Sequence, residues 1–317
     1  MKTILLIVSI ASMMCSFTGE AQVQDCALSA RIVAAKGVYV FQEPVRLDVA
    51  LFNGGSDSAT VDLSFPYLNG GLILTDKRHN LQRKEEYSPG RVGFGGKAVP
   101  QVILLGQSWQ FSVFLQTYYA SPEPGEHEIS YTMAVPCLIE GRGLISRASS
   151  GTLSVSVQAA NSEQLQQIVQ DYAAKSETGD LIATEALLSI DNPIVIPEMR
   201  RILDGNNFER ALQTLSRFRE DPLAEGMVGE TVRSPIPARQ IAGLNVISQW
   251  RKHISGSELS RLLGSPSRDV RSATLRYLQA LDDPKFLPLV SPLLMDPDQE
   301  VANEARKTEQ ILKGNAQ

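Results

Sequence analysis

The sequence predicts two unlike halves, an all-β sandwich followed by an all-α array of paired helices. Three observations carry this reading. From Cys26 to Val157 apolar residues recur at every second position, and beyond Val157 they recur at three and four. From Asp180 onward, helix-start signals return about every thirty residues, the mark of a repeat. The chain has 317 residues, so each half is long enough to bury a core of its own.

In the first half, Val45 to Leu51 alternates apolar with polar or small residues. Trp109, Phe111, Val113 and Leu115 are expected on one face, with Gln110, Ser112 and Gln116 on the other. Ile129 to Met133 and Leu153 to Val157 repeat the alternation. Successive side chains of a strand point to opposite faces, so this is the pattern of half-buried strands. Asn53-Gly54-Gly55-Ser56-Asp57, Asn69-Gly70-Gly71 and Pro122-Glu123-Pro124-Gly125 supply turn chemistry between them. Several short strands separated by turns predict a sandwich.

The order of these signals adds to the reading. A strand with Glu43-Pro44-Val45 and alternating Leu47, Val49, Leu51 and Asn53 comes first. A stretch with Gly106-Gln107, Trp109 and Phe111 follows, and Pro124-Gly125-Glu126-His127 leads into Ile129. Together they resemble the immunoglobulin-like modules of bacterial secreted proteins, including those likened to the small BsuPI-type proteinase-inhibitor domain. The resemblance covers about a hundred residues of this chain and implies an immunoglobulin-like sandwich. No reactive loop is identified, so protease inhibition is not implied with it.

In the second half, Leu165, Ile168, Val169 and Tyr172 share one helical face, as do Leu212, Leu215 and Phe218. Asn161 or Ser162 can cap the first helix. Helices are expected to restart at Asp180, Asn207, Ile236, Ser267 and Asp298. A second, interleaved series restarts at Pro193, Pro222, Gly256 and Pro284. Each of these prolines follows Asn192, Asp221 or Asp283. An Asn or Asp accepts from the free N–H groups of a helix start, and proline there has no N–H to leave unpaired. Leu262-Leu263-Gly264-Ser265-Pro266 echoes in Leu293-Leu294-Met295-Asp296-Pro297, and Val270 echoes in Val301. From residue 180 to 313 these features resemble HEAT repeats of the short, phycobilisome-lyase-like kind. That resemblance implies a protein-binding scaffold, and no lyase activity comes with it. The alternative is an irregular helical bundle. The domain reading is 1–21 signal peptide, 22–159 immunoglobulin-like sandwich and 160–317 HEAT-like helical repeats.

The compartment is read from the first residues. Lys2 is followed by the apolar run Ile4 to Ile10 and then by small and polar residues ending in Gly19-Glu20-Ala21. This is the layout of a secretory signal peptide cleaved after Ala21, and it predicts a periplasmic or extracellular protein, bacterial in character. An uncleaved anchor and a lipid-modified Cys15 are the alternatives; Met13-Met14 before Cys15 match a lipidation signal poorly. Export favours oxidation, so the two remaining cysteines, Cys26 and Cys137, are expected to form one disulfide. In the chain-entropy model such a bridge contributes about 4–5 kcal/mol. The alternative is a pair of unpaired buried thiols.

Other chemistry is scarce. Net charge is −5 without a long basic run, and aromatic residues make up 6%, which argues against nucleic acid and anionic membrane as partners. His79, His127 and His253 have no second ligand at helix or hairpin spacing, so no metal site is expected, and His127 between Glu126 and Glu128 is expected at the surface. No Gly-x-Ser-x-Gly elbow is present. Trp109 and Trp250 are expected in the core. No cofactor is implied. The Gly-rich loop 88–97 fails as a phosphate-binding loop, because Arg91 stands where its first glycine belongs and Ala98 follows Lys97. It is expected to be a solvated mobile loop, or else a partner contact through Arg91 and Lys97. On the helical array, Arg200, Arg201, Arg261 and Lys285 are candidates for a mildly basic groove suited to an acidic protein segment. The functional expectation is an exported, non-enzymatic interaction or scaffold protein. The alternatives are a hydrolase inhibitor presenting loop 88–97, or an enzyme whose dispersed carboxylates meet in an interdomain cleft.

The mature chain recovered from cell envelope is expected to begin near Gln22 by N-terminal sequencing, and thiol labelling of that chain, unfolded but not reduced, should mark neither Cys26 nor Cys137. Recovery of Met1, or two labelled thiols, would contradict the export reading.

Overall fold

The computed structural model describes residues 27–55, 58–62, 71–84, 100–139 and 143–314. The segment 1–21, Cys15, Cys26, Arg91 and Lys97 lie outside them, as does the side chain of Cys137, so the expected disulfide and glycine-rich loop fall outside the described residues.

The β region runs from 28 to 158 and holds two sheets. Strands β1 (Leu28–Ala34), β3 (Arg46–Asn53) and β7 (Ser108–Phe114) form a three-stranded antiparallel sheet in the order β1-β3-β7. The other sheet contains β2 (Val38–Val40), β4 (Ala59–Asp62), β5 (Leu72–Asp76), β6 (Pro100–Ile103), β8 (Gly125–Ile139) and β9 (Gly143–Gln158). Its order is β2-β9-β8-β4-β6, with β5 paired to the first part of β8. The long hairpin β8–β9 is its spine, in register from Gly125 opposite Val157 to Ile139 opposite Gly143. Alternation places Leu47, Val49 and Leu51 of β3 and Ile129, Met133 and Val135 of β8 in one shared apolar cluster.

Two polar side chains of the larger sheet hydrogen-bond the backbone of β1. The Ala30 N–H donates to Ser149 Oγ at 2.8 Å, and the Ile32 N–H donates to the Tyr131 hydroxyl at 3.3 Å. Tyr131 reaches that position by lying across Gly151, where a Cβ would stand 2.5 Å from the tyrosine oxygen, so glycine is required there. These bonds occupy backbone donors that an edge strand otherwise offers to another chain.

The alternation expected to run through Gln116 stops earlier. Strand β7 ends at Phe114 and the chain enters a helical turn, α1 (Leu115–Tyr118). The change of period turns Gln116 inward, where it is fully buried. Its Oε1 accepts from the Val45 N–H and its Nε2 donates to the Glu43 carbonyl, both at 2.8 Å, so it pins the turn before β3.

After residues 159–161 the chain is helical from 162 to 314. Its helices are α2 (Ser162–Glu177), α3 (Leu181–Ser189), α4 (Ile196–Asp204), α5 (Phe208–Leu215), α6 (Pro222–Arg233), α7 (Pro237–Trp250), α8 (Gly256–Leu263), α9 (Arg268–Leu281), α10 (Leu287–Val290) and α11 (Gln299–Gly314). Each restart expected from the sequence coincides with a helix or 3-10 start. Asn161 is the first cap, in a reciprocal box with Gln164. Asp180 and Asp221 each accept from two N–H groups, and Asn192 and Asp283 open 3-10 turns at Pro193 and Pro284. Asn207, Ile236 and Ser267 hold the cap position without a side-chain hydrogen bond.

Contacts run from neighbour to neighbour: α3 packs on α5, α5 on α7, α7 on α9 and α9 on α11, while α4 packs on α6. The side-chain hydrogen bonds between helices carry the same step. Thr214 reaches the Leu188 carbonyl 26 residues back, Arg261 the Val232 carbonyl 29 back, and Tyr277 the Lys252 carbonyl 25 back. Trp250, a core residue as expected, donates to the Ser216 carbonyl 34 back. The apolar cluster of this region begins at Val169, whereas that of the β region ends at Val155.

Leu278 in α9 is fully buried in the helical cluster. Replacing it with Asp buries an unpaired charge at a cost of several kcal/mol. The expected outcome is loss of helical circular dichroism while a protease-resistant β fragment persists; a mutant that melts like the parent, or loses the β fragment too, would show that the cores are not separate.

Candidate functional site

The four cations expected to line a basic groove are each held by carboxylates. Arg200 meets Glu230 through two bonds, at 2.8 and 3.3 Å, and Arg201 pairs with Glu177. Arg261 binds Glu258 at 2.8 Å and Lys285 binds Asp283 at 2.5 Å. Their charge is balanced where it arises, so each is part of an ion pair. Surface pairs of this kind contribute little to stability.

The polar concentration that sequence spacing missed is in the β region. Asp76 closes β5, and its side chain is fully buried, in phase with Leu72 and Leu74. His127 lies in β8 on the same side as Ile129, and it is 3% exposed, not at the surface as expected. The signal was present: His127, Ile129, Tyr131, Met133 and Val135 follow one two-residue phase, and all are buried. The chain bends after Asp76, whose Oδ1 accepts the N–H groups of Arg78 at 2.9 Å and His79 at 3.3 Å. This turn brings His79 back against His127, with ring centroids 4.5 Å apart. Asp76 Oδ2 then lies 2.6 Å from His127 Nδ1 and 3.4 Å from His79 Nδ1. Burial pushes the Asp76 carboxyl up, but hydrogen bonds from the Arg78 N–H, the His127 ring and the His79 N–H outweigh it and hold the group below the ordinary carboxylate range. His253, by contrast, is exposed and faces the Phe286 ring at 6.0 Å.

A second polar concentration joins the two regions. Asp191 takes Lys84 on Oδ2 at 2.6 Å and Arg217 on Oδ1. The Asn192 amide donates to Gln42 Oε1 at 2.6 Å. Gln42 sits at φ 68°, left-handed backbone that a residue with a side chain rarely adopts and that costs on the order of 1 kcal/mol. Glu43 beside it is buried and accepts from Lys36 Nζ at 2.6 Å and the Val40 N–H at 3.0 Å. These carboxylates are neutralised and hydrogen-bonded where they stand, which suits a docking seam better than acid–base work.

No family model matches this chain. No curated protein matches it. Among solved structures it is similar to human deoxyhypusine hydroxylase in complex with glycerol, at 14% identity over 48% of this chain and 63% of that one, with a TM-score of 0.33. It is also similar to Spo0M, a sporulation control protein from Bacillus subtilis, at 13% identity over 48% of this chain and 55% of that one, with a TM-score of 0.23. The matches thus span less than two thirds of either structure, and at these scores they carry no argument about fold or function.

Tyr172 of α2 packs on the helical cluster and feels Glu43 and Tyr39 of the β region. Burial, reinforced by Glu43 and Tyr39, pushes its phenol up to about 12. A raised pKa in the folded chain means that the stabilisation is complete below the ordinary tyrosine value and is lost as pH rises through the folded one. Alkaline titration is therefore expected to loosen the seam between pH 10 and about 12. Tyr172→Phe should remove that part of the alkaline limb in a pH–melting profile, and an unchanged profile would place the phenol in solvent.

Proposed function

We propose that this chain is an exported, non-enzymatic interaction or scaffold protein, an immunoglobulin-like sandwich of residues 22–159 carrying a HEAT-like repeat array of residues 160–317. The observation that carries the reading is the repeat step of the helical region. Its helices contact nearest neighbours, and Thr214, Arg261, Tyr277 and Trp250 each bond a carbonyl between 25 and 34 residues back. Stacking of this kind spends the apolar face of each pair on its neighbours and leaves an extended polar surface, which is what solenoid scaffolds use for binding.

A partner of this surface is another protein. Because Arg200, Arg201, Arg261 and Lys285 are matched by Glu230, Glu177, Glu258 and Asp283, an acidic segment binds there by exchanging partners with those carboxylates. Electrostatic exchange of this sort gives salt-sensitive recognition. Export rests on the first twenty-one residues. Among the described residues no helix is long and apolar enough to cross a membrane.

The test is a pull-down from envelope extract with the mature chain as bait, followed by mass spectrometry. The expected result is a recurring protein whose recovery falls at least tenfold with the double variant Arg200→Glu/Arg201→Glu, while circular dichroism of that variant stays unchanged. Recovery of the same protein in full by the variant would remove the basic positions from the interface. Turnover of a substrate by the purified chain would overturn the non-enzymatic reading.

A further inference from the structure

We propose that Asp76, His79 and His127 form a binding site for a borderline divalent metal ion, with Zn2+ the ion the donor set suits best. One oxygen and two ring nitrogens converge here, all within 4.8 Å of one another. Two imidazoles with a carboxylate are a donor set that zinc takes readily, usually leaving a further position for water or a partner group.

The hydrogen bonds around the cluster give the argument its direction. His127 Nε2 lies 2.6 Å from the Glu123 carbonyl oxygen. A carbonyl only accepts, so Nε2 carries a proton and Nδ1 is the ring nitrogen turned to the carboxylate. Nδ1 lies 2.6 Å from Asp76 Oδ2, a hydrogen-bond contact in which a metal ion would take the place of the Nδ1 proton. A proton serves that one contact. It does nothing for His79, whose Nδ1 stands 3.4 Å from the same oxygen. A metal ion serves all three groups together.

The surroundings are those of a held ligand set. Metal-bound histidines as a rule donate their other ring N–H to a carbonyl or carboxylate, and ligating carboxylates are themselves hydrogen-bonded. Here the Glu123 carbonyl fixes His127, and two backbone N–H groups fix the far oxygen of Asp76. The Asp76 and His127 side chains are 0% and 1% exposed, whereas His79 is 42% exposed. Two ligands are therefore rigid and buried, and the third is on the open side, from which an ion enters. Lys77 and Glu128, which flank the cluster in sequence, pair with each other at 3.1 Å.

The experiment is isothermal titration of the untagged, chelator-treated full-length mature chain with Zn2+, with Co2+ absorption as a coordination signature and melting temperature as a second readout. Expected is one ion per chain, a cobalt visible spectrum of nitrogen–oxygen ligation, and a melting temperature that rises by several degrees when the ion exceeds its dissociation constant a hundredfold. His79→Ala removes an exposed ligand without opening the core and should weaken binding at least tenfold and abolish the melting shift. His253→Ala, in the helical region, should leave both as in the parent. The proposal is overturned if no ion binds at micromolar free Zn2+, or if His79→Ala binds like the parent. It is equally overturned if nitrogen NMR with Zn2+ present shows both His127 ring nitrogens protonated, since the cation beside Asp76 would then be a proton alone.

Discussion

The Asp191–Asn192 corner sets how the helical region sits against the β region. It follows directly on α3, so its position is dictated by the packing of that helix. Asp191 draws Lys84 from one region and Arg217 from the other onto one carboxylate, and Asn192 reaches Gln42 while its own Oδ1 caps the turn at Pro193. A carboxylate with two cations offsets part of its desolvation, and a one-sided replacement leaves a charge without its partner, at a cost of about 3–5 kcal/mol when the pair is buried. Gln42 remains in left-handed backbone because Gln116 pins the turn from below and Asn192 holds it from above. Strain in one residue is tolerated where the surrounding bonds over-determine its conformation.

From that corner the helical region extends by one rule. A helix pair with an apolar face cannot satisfy it alone, and it is covered by the next pair. The hydrogen bonds inside the stack obey the same rule, since a buried hydroxyl or indole finds its acceptor on the preceding pair, as Thr214 and Trp250 do. An unpaired buried donor costs about 1–3 kcal/mol, so these bonds act as a register mark: shifting one pair by a turn would orphan them. Such a stack leaves its outer surface free to vary, and the ion pairs Arg200 with Glu230 and Arg201 with Glu177 lie exposed on it.

Helix starts were legible because their chemistry is local. Asn161, Asp180, Asn192, Asp221 and Asp283 cap within three residues of themselves, so the same signal that appears in the sequence makes the bond in the fold. The inward phase of β8 was legible on the same ground, but two flanking glutamates suggested a surface position for His127, which shares that phase and is buried. Gln116 was misread for a reason that is equally physical. A single helical turn after Phe114 changes the period from two to nearly four, and a one-residue change of phase exchanges inside for outside.

The sequence by itself determined the two kinds of secondary structure, the place where one gives way to the other near Ala159-Ala160, and the thirty-residue step of the helices, because periodicity and capping act over a few neighbours. Only the tertiary structure decided which polar groups meet. Asp76 and His127 are 51 residues apart, Lys84 and Asp191 are in different regions, and Ser149 reaches Ala30 across 119 residues. Such pairs are set by strand order and by the docking of one region on the other. Many distant partners are compatible with the same local pattern, and the choice among them is made by shape and by the demand that every buried polar group be satisfied.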